Sequence, residues 1–208
     1  MARVVGVCGK FLPLLFPHVA DVPTVGKVAR PPLNYYGTDH MGSPRKGLDM
    51  TKNFTGCVIV VSDRIVSGER GDTAGQVARS LLADAGVGAE IVVVGEGFDD
   101  VSRALSDARA AGHRVIVTVG GTGLGPRNRT PEATALLLEV RLDGLVTQVL
   151  IQGLAATSQA GLSRALIGLT GRGPGDALIV NSPGSAGAVR DTLGVVCPLL
   201  QSIFERIS

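Results

Sequence analysis

The sequence predicts an α/β protein built on a mostly parallel sheet with helices on both faces. Three observations predict it. From residue 55 onward, short apolar runs alternate with helix-like segments, the pattern of βαβ units. The runs are continuous in apolar residues, as strands buried on both faces must be. Glycine-bearing turns follow the run at 115–119 and the run at 177–181, and each leads into a helix-like stretch.

The elements follow in order. A first strand at 57–61 (Cys57 to Val61) leads into a helix over 73–85, and a second strand at 91–94 leads into a helix over 99–111. A third strand, Val115-Ile116-Val117-Thr118-Val119, ends on the glycine segment that begins at Gly120. Right-handed crossovers joining these strands place them parallel in one sheet. Beyond the glycine segment the pattern predicts helices over about 131–142 and 145–168, a strand at 177–181 and a last helix over 186–207. Thr130, Pro131 and Glu132 supply an N-cap, a first-turn proline and an early acid for the helix that follows.

At 208 residues the chain suits one domain, 54–208, with an appendage, and its 45% hydrophobic content suffices for a core that is aliphatic because there is no Trp. Residues 1–53 differ: Pro13, Pro17, Pro23, Pro31, Pro32 and Pro44 interrupt them and no period is sustained. They read as a disordered arm, or as an over-extended start with Met41 and Met50 as internal alternatives, and not as a signal peptide. Residues 1–50 hold six Lys/Arg against three Asp/Glu, leaving the rest of the chain close to neutral. A duplex-binding face built on bulk charge is thereby disfavoured, and the spread of those basic residues, with Tyr35-Tyr36 as the one aromatic pair, argues against a nucleic-acid partner. Cys8, Cys57 and Cys197 are odd in number and lack ligand spacing, so they read as reduced thiols of a cytoplasmic protein, Cys57 within a strand. The uncharged stretch 144–163 contains three Gln and repeated Gly, and reads as packed helix at a subunit contact and not as a membrane span.

In open α/β sheets ligands collect beyond the carboxyl ends of the strands, so 62–75, 95–100, 120–131 and 182–186 should converge on one pocket. The glycine loop lacks the Lys-Ser/Thr of a Walker P-loop, and Pro126 stands where a dinucleotide fingerprint needs its last glycine. Glycines, a helix start and the adjacent Arg127 and Arg129 still describe an anion site. Asp63 and Arg64 close the first strand, where ligands bind; Asp72 suits an N-cap. Asn181-Ser182-Pro183-Gly184-Ser185 forms a second hydroxyl-bearing turn, and two such turns suit a ligand with two anionic ends. Arg164, in Leu162-Ser163-Arg164, points to a subunit or ligand contact, while His113 reads as a solvated loop residue. No Ser, His and Asp arrangement suggests a hydrolase triad.

Taken in order, Ser62-Asp63-Arg64, Asp72 to Gly75, Gly120-Gly121-Thr122-Gly123, Gly125-Pro126-Arg127, Thr130-Pro131-Glu132-Ala133-Thr134, Leu162-Ser163-Arg164 and Ser182-Pro183-Gly184-Ser185 resemble the MoaB/Mog family of molybdenum-cofactor biosynthesis. The resemblance covers about residues 55–207. It implies a three-layer α/β/α sandwich, a homotrimer, and molybdopterin adenylyltransferase activity, in which the terminal phosphate of molybdopterin joins the α-phosphate of ATP with Mg²⁺ and pyrophosphate leaves. It further implies that Ser62, Asp63, Arg64, Asp72, Gly75, Gly120, Gly121, Thr122, Gly123, Arg127, Thr130, Ser163, Ser182, Pro183, Gly184 and Ser185 hold the nucleotide and molybdopterin. Ser182 to Ser185 would cradle the molybdopterin phosphate.

Two departures bear on chemistry. The family motif carries an aspartate after Gly-Pro-Arg, where this chain has Asn128, an amide that brings no negative charge and cannot take up a proton. A second family acid follows the second strand; the register places Glu96 there as the implied metal ligand, with Asp99 or Asp100 as alternatives. Relatives often carry His where this chain has Gln201. Asn128 and Glu96 are thus the implied catalytic positions, and a non-catalytic binding, scaffold or regulatory protein, with a protein partner at the N-terminal arm, is the rival expectation.

Overall fold

The computed structural model describes residues 54–207, so the expectations for residues 1–53, Cys8 and the basic arm included, lie outside the described residues. Six strands, β1 (Phe54–Val61), β2 (Val87–Val94), β3 (Val115–Val119), β4 (Val140–Arg141), β5 (Ile167–Leu169) and β6 (Leu178–Ser182), form one sheet in the order β2-β1-β3-β6-β5-β4. β2, β1, β3 and β6 pair in parallel. β5 runs antiparallel to both of its neighbours, which makes the sheet mixed.

Side chains alternate across the sheet and divide the core into two layers. Val58, Val60, Val115 and Val117 face the helices α2 (Ala74–Asp84), α6 (Ala186–Val196) and α7 (Leu200–Arg206). Cys57, Ile59, Val61 and Ile116 face α3 (Phe98–Ala110) and α4 (Thr130–Ala135). The result is the predicted three-layer α/β/α sandwich. The remaining helices are the single turn α1 (Asp63–Val66) and α5 (Asp143–Leu154).

Three long predicted helices are broken, each for a physical reason. The one expected over 131–142 ends at Ala135, and Val140–Arg141 pairs with β5 instead. The one expected over 145–168 stops at Leu154; Thr157 then caps a 3-10 turn, Ser158–Leu162, by accepting from Gln159 N–H at 3.3 Å. Residues 167–169 become β5, where a side chain on Gly168 would collide with the Val140 carbonyl, so only glycine permits the strands to close. The last predicted helix is interrupted by a 3-10 turn, Cys197–Leu199, because Pro198 cannot supply the N–H that a continuous helix needs.

The strand order sets where a ligand can enter. From β1 the chain crosses to β2 on one side and then returns past β1 to β3, so the topology reverses between β1 and β3. Their carboxyl ends release Ser62 and Gly120 side by side at that switch point.

Candidate functional site

The glycine loop is closed at its base by backbone geometry. Gly120 and Gly121 have φ of 108° and 66°, values that favour glycine. A Cβ on Gly120 would lie 2.5 Å from the Val61 carbonyl oxygen, and one on Gly121 would collide with the Thr130 hydroxyl. Gly120 N–H donates to Ser182 O (2.9 Å), Thr130 N–H donates to Gly121 O (3.2 Å), and the buried Thr130 hydroxyl donates to Gly120 O (3.0 Å). Thr130 therefore opens α4 as its first residue and ties the loop shut, in place of the N-cap role predicted for it. Pro131 and Glu132 occupy the first turn as expected.

Below the loop a buried polar network joins β3, β6 and α4 to the segment before β5. Asn181 donates through Nδ2 to the hydroxyls of Thr118 and Thr134, both at 2.9 Å, and accepts from Leu166 N–H at 3.1 Å. Every polar group of that amide has a partner, which lets it sit 1% exposed without the penalty of an unmade bond.

Beside the loop lies a charged cluster. Arg127 bridges to Asp63 at 3.0 Å and donates to the Glu96 carbonyl at 2.6 Å, while Asp63 also accepts from Glu96 N–H at 2.9 Å. Asn128 donates through Nδ2 to Glu96 Oε2 at 3.1 Å. Of the three acids considered after β2, Glu96 is the one that meets Asn128; Asp99 and Asp100 stand in the first turn of α3. The amide settles beside the carboxylate as a hydrogen-bond donor, where an aspartate would repel it.

The second turn abuts the first. A Cβ on Gly184 would lie 3.4 Å from the Gly120 Cα, and Ser185 caps α6 by accepting from Ala188 N–H at 3.1 Å. Between the turns opens a cleft of about 640 Å³. The four predicted stretches converge on it, contributing Ser62 and Arg64, Glu96, Gly120 to Gly123 with Asn128, and Pro183 to Ser185. Ser163 also lines it, its hydroxyl 3.4 Å from that of Thr122.

Other predicted site residues act from behind the wall. Asp72 accepts from Gly75 N–H at 2.7 Å, so it performs the capping bond of α2 from one position before the assigned cap, Thr73. Gly75 packs where a Cβ would lie 2.5 Å from Val60 Cγ2. Asp63 and Arg127 hold the loops to each other, Thr130 closes the glycine loop, and the buried Ser182 accepts from Gly120 N–H.

Sequence reasoning missed the apolar wall: Val146, Val149 and Leu150 of α5 and Ala160 and Leu162 of the 3-10 turn line the cleft, as do Arg70, Asp191 and Thr192. The signal was the uncharged stretch 144–163. Only Gly153 of α5 is buried within the chain, and Ile151 and Leu154 remain 64% and 47% exposed on it.

Three further expectations are corrected or refined. Arg164 does not line the cleft: it donates to the Gly123 carbonyl at 3.1 Å, to the Asn128 carbonyl and to Glu132. That hydrogen bond from Arg164 holds the Glu132 carboxyl below the usual carboxylate range. His113 is half-enclosed, not solvated, with a side chain 15% exposed and Nε2 3.0 Å from Glu90 Oε1. Gln201 bonds Glu205 along α7 and does not line the cleft. Cys57 is buried as expected, and burial pushes its thiol up to about 11 and that of Cys197 to about 12, so both stay protonated at neutral pH.

Among the described residues no three His, Cys, Asp or Glu gather as metal ligands. Asp63 is already engaged by Arg127, which leaves Glu96 as the carboxylate on the cleft beside Asn128. This set suits a Mg²⁺ that arrives with the phosphates of a nucleotide, which takes only one or two protein carboxylates, and not an ion caged by protein. No helix among the described residues is long and apolar enough to cross a membrane.

A switch-point cleft between two glycine-bearing turns in a mixed α/β sandwich defines a class of domain, and comparison with known proteins gives that class its name. The profile described as "Probable molybdopterin binding domain" matches residues 57–202, and the chain belongs to this family, in its MoaB/Mog branch of molybdenum-cofactor biosynthesis. The chain is 32% identical over 158 residues to the "Molybdopterin adenylyltransferase" of Pyrococcus furiosus, covering 75% of this chain and 92% of that protein. It is 33% identical over 148 residues to the "Molybdenum cofactor synthesis protein cinnamon" of Drosophila melanogaster, covering 69% of this chain but only 24% of that protein. The chain likewise spans less than half of two bacterial bifunctional relatives. A solved structure, a "Putative molybdenum cofactor biosynthesis protein" of Corynebacterium diphtheriae, superposes with a TM-score of 0.70 at 42% identity, covering 74% of this chain and 98% of that one.

Proposed function

We propose that this chain binds molybdopterin and Mg-ATP in the cleft between the two turns and transfers an adenylyl group to the molybdopterin phosphate, releasing pyrophosphate. The observation that carries the reading is the abutment of the loop at 120–131 and the turn at 182–185 across one cleft, which suits two phosphates brought together for reaction. The glycine loop offers backbone donors to one phosphate and the start of α6 offers them to the other. The apolar wall of α5 would limit water at the reacting groups once ligands fill the cleft. Glu96, with the Asn128 amide, would hold Mg²⁺, which when bound neutralises charge on the phosphates. Positioning and charge neutralisation are the whole demand of such a transfer, because the protein forms no covalent bond in it. The exposed apolar residues of α5 support assembly into a homotrimer.

A second reading, a non-catalytic member that keeps the ligand and serves as a binding or regulatory protein, is favoured by one observation: Asn128 already satisfies Glu96, so the cleft needs no cation to hold its acids together. Incubating the purified chain with Mg-ATP and molybdopterin separates the two. Adenylylated molybdopterin with equimolar pyrophosphate supports the first, and binding of both ligands without product supports the second.

A further inference from the structure

Leu162-Ser163-Arg164 sits between the two walls of the cleft, and neither the ligand nor a partner is needed to explain its arginine. Arg164 uses its backbone and its whole fork on one target. Its N–H donates to Thr122 O at 3.0 Å, Nε to Gly123 O at 3.1 Å, Nη2 to Asn128 O and Nη1 to Glu132 Oε1. Gly123 and Asn128 lie on opposite limbs of the glycine loop, and Glu132 belongs to the helix that the loop opens. The side chains of Arg164 and Glu132 are each 35% exposed, so this pair is partly shielded from water. On its other side the segment is anchored by Leu166 N–H on Asn181, and it continues directly from the 3-10 turn whose residues line the cleft.

We propose that Arg164 is a positioning residue: a latch, locked by Glu132, that holds the two limbs of the glycine loop at a fixed separation and ties them to the apolar wall. The loop's glycines make this necessary. Gly123 and Gly125 give the loop backbone freedom that must be removed before its N–H groups can meet a phosphate in a prepared geometry. A planar fork of fixed donors can span two carbonyls and a carboxylate together; the single ammonium of a lysine cannot reproduce that pattern. The consequence for a phosphate ligand rests on the function proposed above. The latch itself does not.

Hydrogen–deuterium exchange on the ligand-free protein tests it. In Arg164→Gln the amides of residues 121–128 are expected to exchange at least tenfold faster than in the wild type, with those of β1 and β3 unchanged. Arg164→Lys is expected to match Arg164→Gln, since charge without the fork does not restore the bonds. Glu132→Gln, which keeps the arginine and perturbs the fold least, is expected to show an intermediate acceleration. Wild-type exchange of the loop in Arg164→Gln, or full rescue by lysine, would overturn the latch. Calorimetric titration with Mg-ATP then reads the consequence, an expected tenfold weakening in Arg164→Gln. A wild type that fails to bind Mg-ATP contradicts the proposed function, and the exchange experiment still decides the latch.

Discussion

Asn128 sets the charge balance of the cleft. As an amide it donates to Glu96 at 3.1 Å, and the neighbouring Asp63 is neutralised by Arg127, so the local acids are satisfied without a metal. Replacing it by aspartate sets two carboxylates face to face, an arrangement that raises the pKa of one of them or recruits a cation. Titration calorimetry with Mn²⁺ should therefore find binding at least fivefold tighter in Asn128→Asp than in the wild type. Equal affinity would mean that residue 128 has no part in cation binding. The residue was visible in the sequence as a departure from a motif, but its partner was not. Glu96 lies 32 positions away, and only the return of the chain past β1 to β3 brings the two loops together.

At the scale of elements, the turns owe their shape to close approaches that no larger residue tolerates. Gly75 packs the start of α2 onto β1, where a methyl group would press on both Val60 and the Asp72 carboxylate that caps the helix. Gly75→Ala is expected to cost about 1–3 kcal/mol through overpacking, which a thermal melt would register as a fall of several degrees; an unchanged melting temperature would show that α2 shifts freely on the sheet. β1, β3 and β6 were legible because each has an apolar core run, as were the glycine turns after β3 and β6; of β2 only 91–94 was legible, because Gly88 and Glu90 interrupt its half-exposed first part. β4 and β5 were not, because they have two and three residues and β5 carries a glycine at its centre. Their pairing with a neighbouring strand, not local propensity, makes them strands. The apolar face of α5 was legible as a stretch without charge, whereas its place on the cleft depends on where the chain turns after Leu154.

For the whole molecule, the exposed Ile151 and Leu154 beside Leu162 form an apolar surface on the segment that also walls the cleft. Burial of that surface between copies would hold the wall in place, so light scattering of the purified protein should give three times the chain mass, and Ile151→Asp should lower it. A wild-type monomer would remove this support for the wall. The central claim is that the cleft joins two phosphates. Its most direct test is to mix the wild-type protein with Mg-ATP and molybdopterin and to measure adenylylated molybdopterin and pyrophosphate together. Both are expected to appear in equal amounts, and faster in Asn128→Asp; absence of product in the wild type would contradict the proposed transfer.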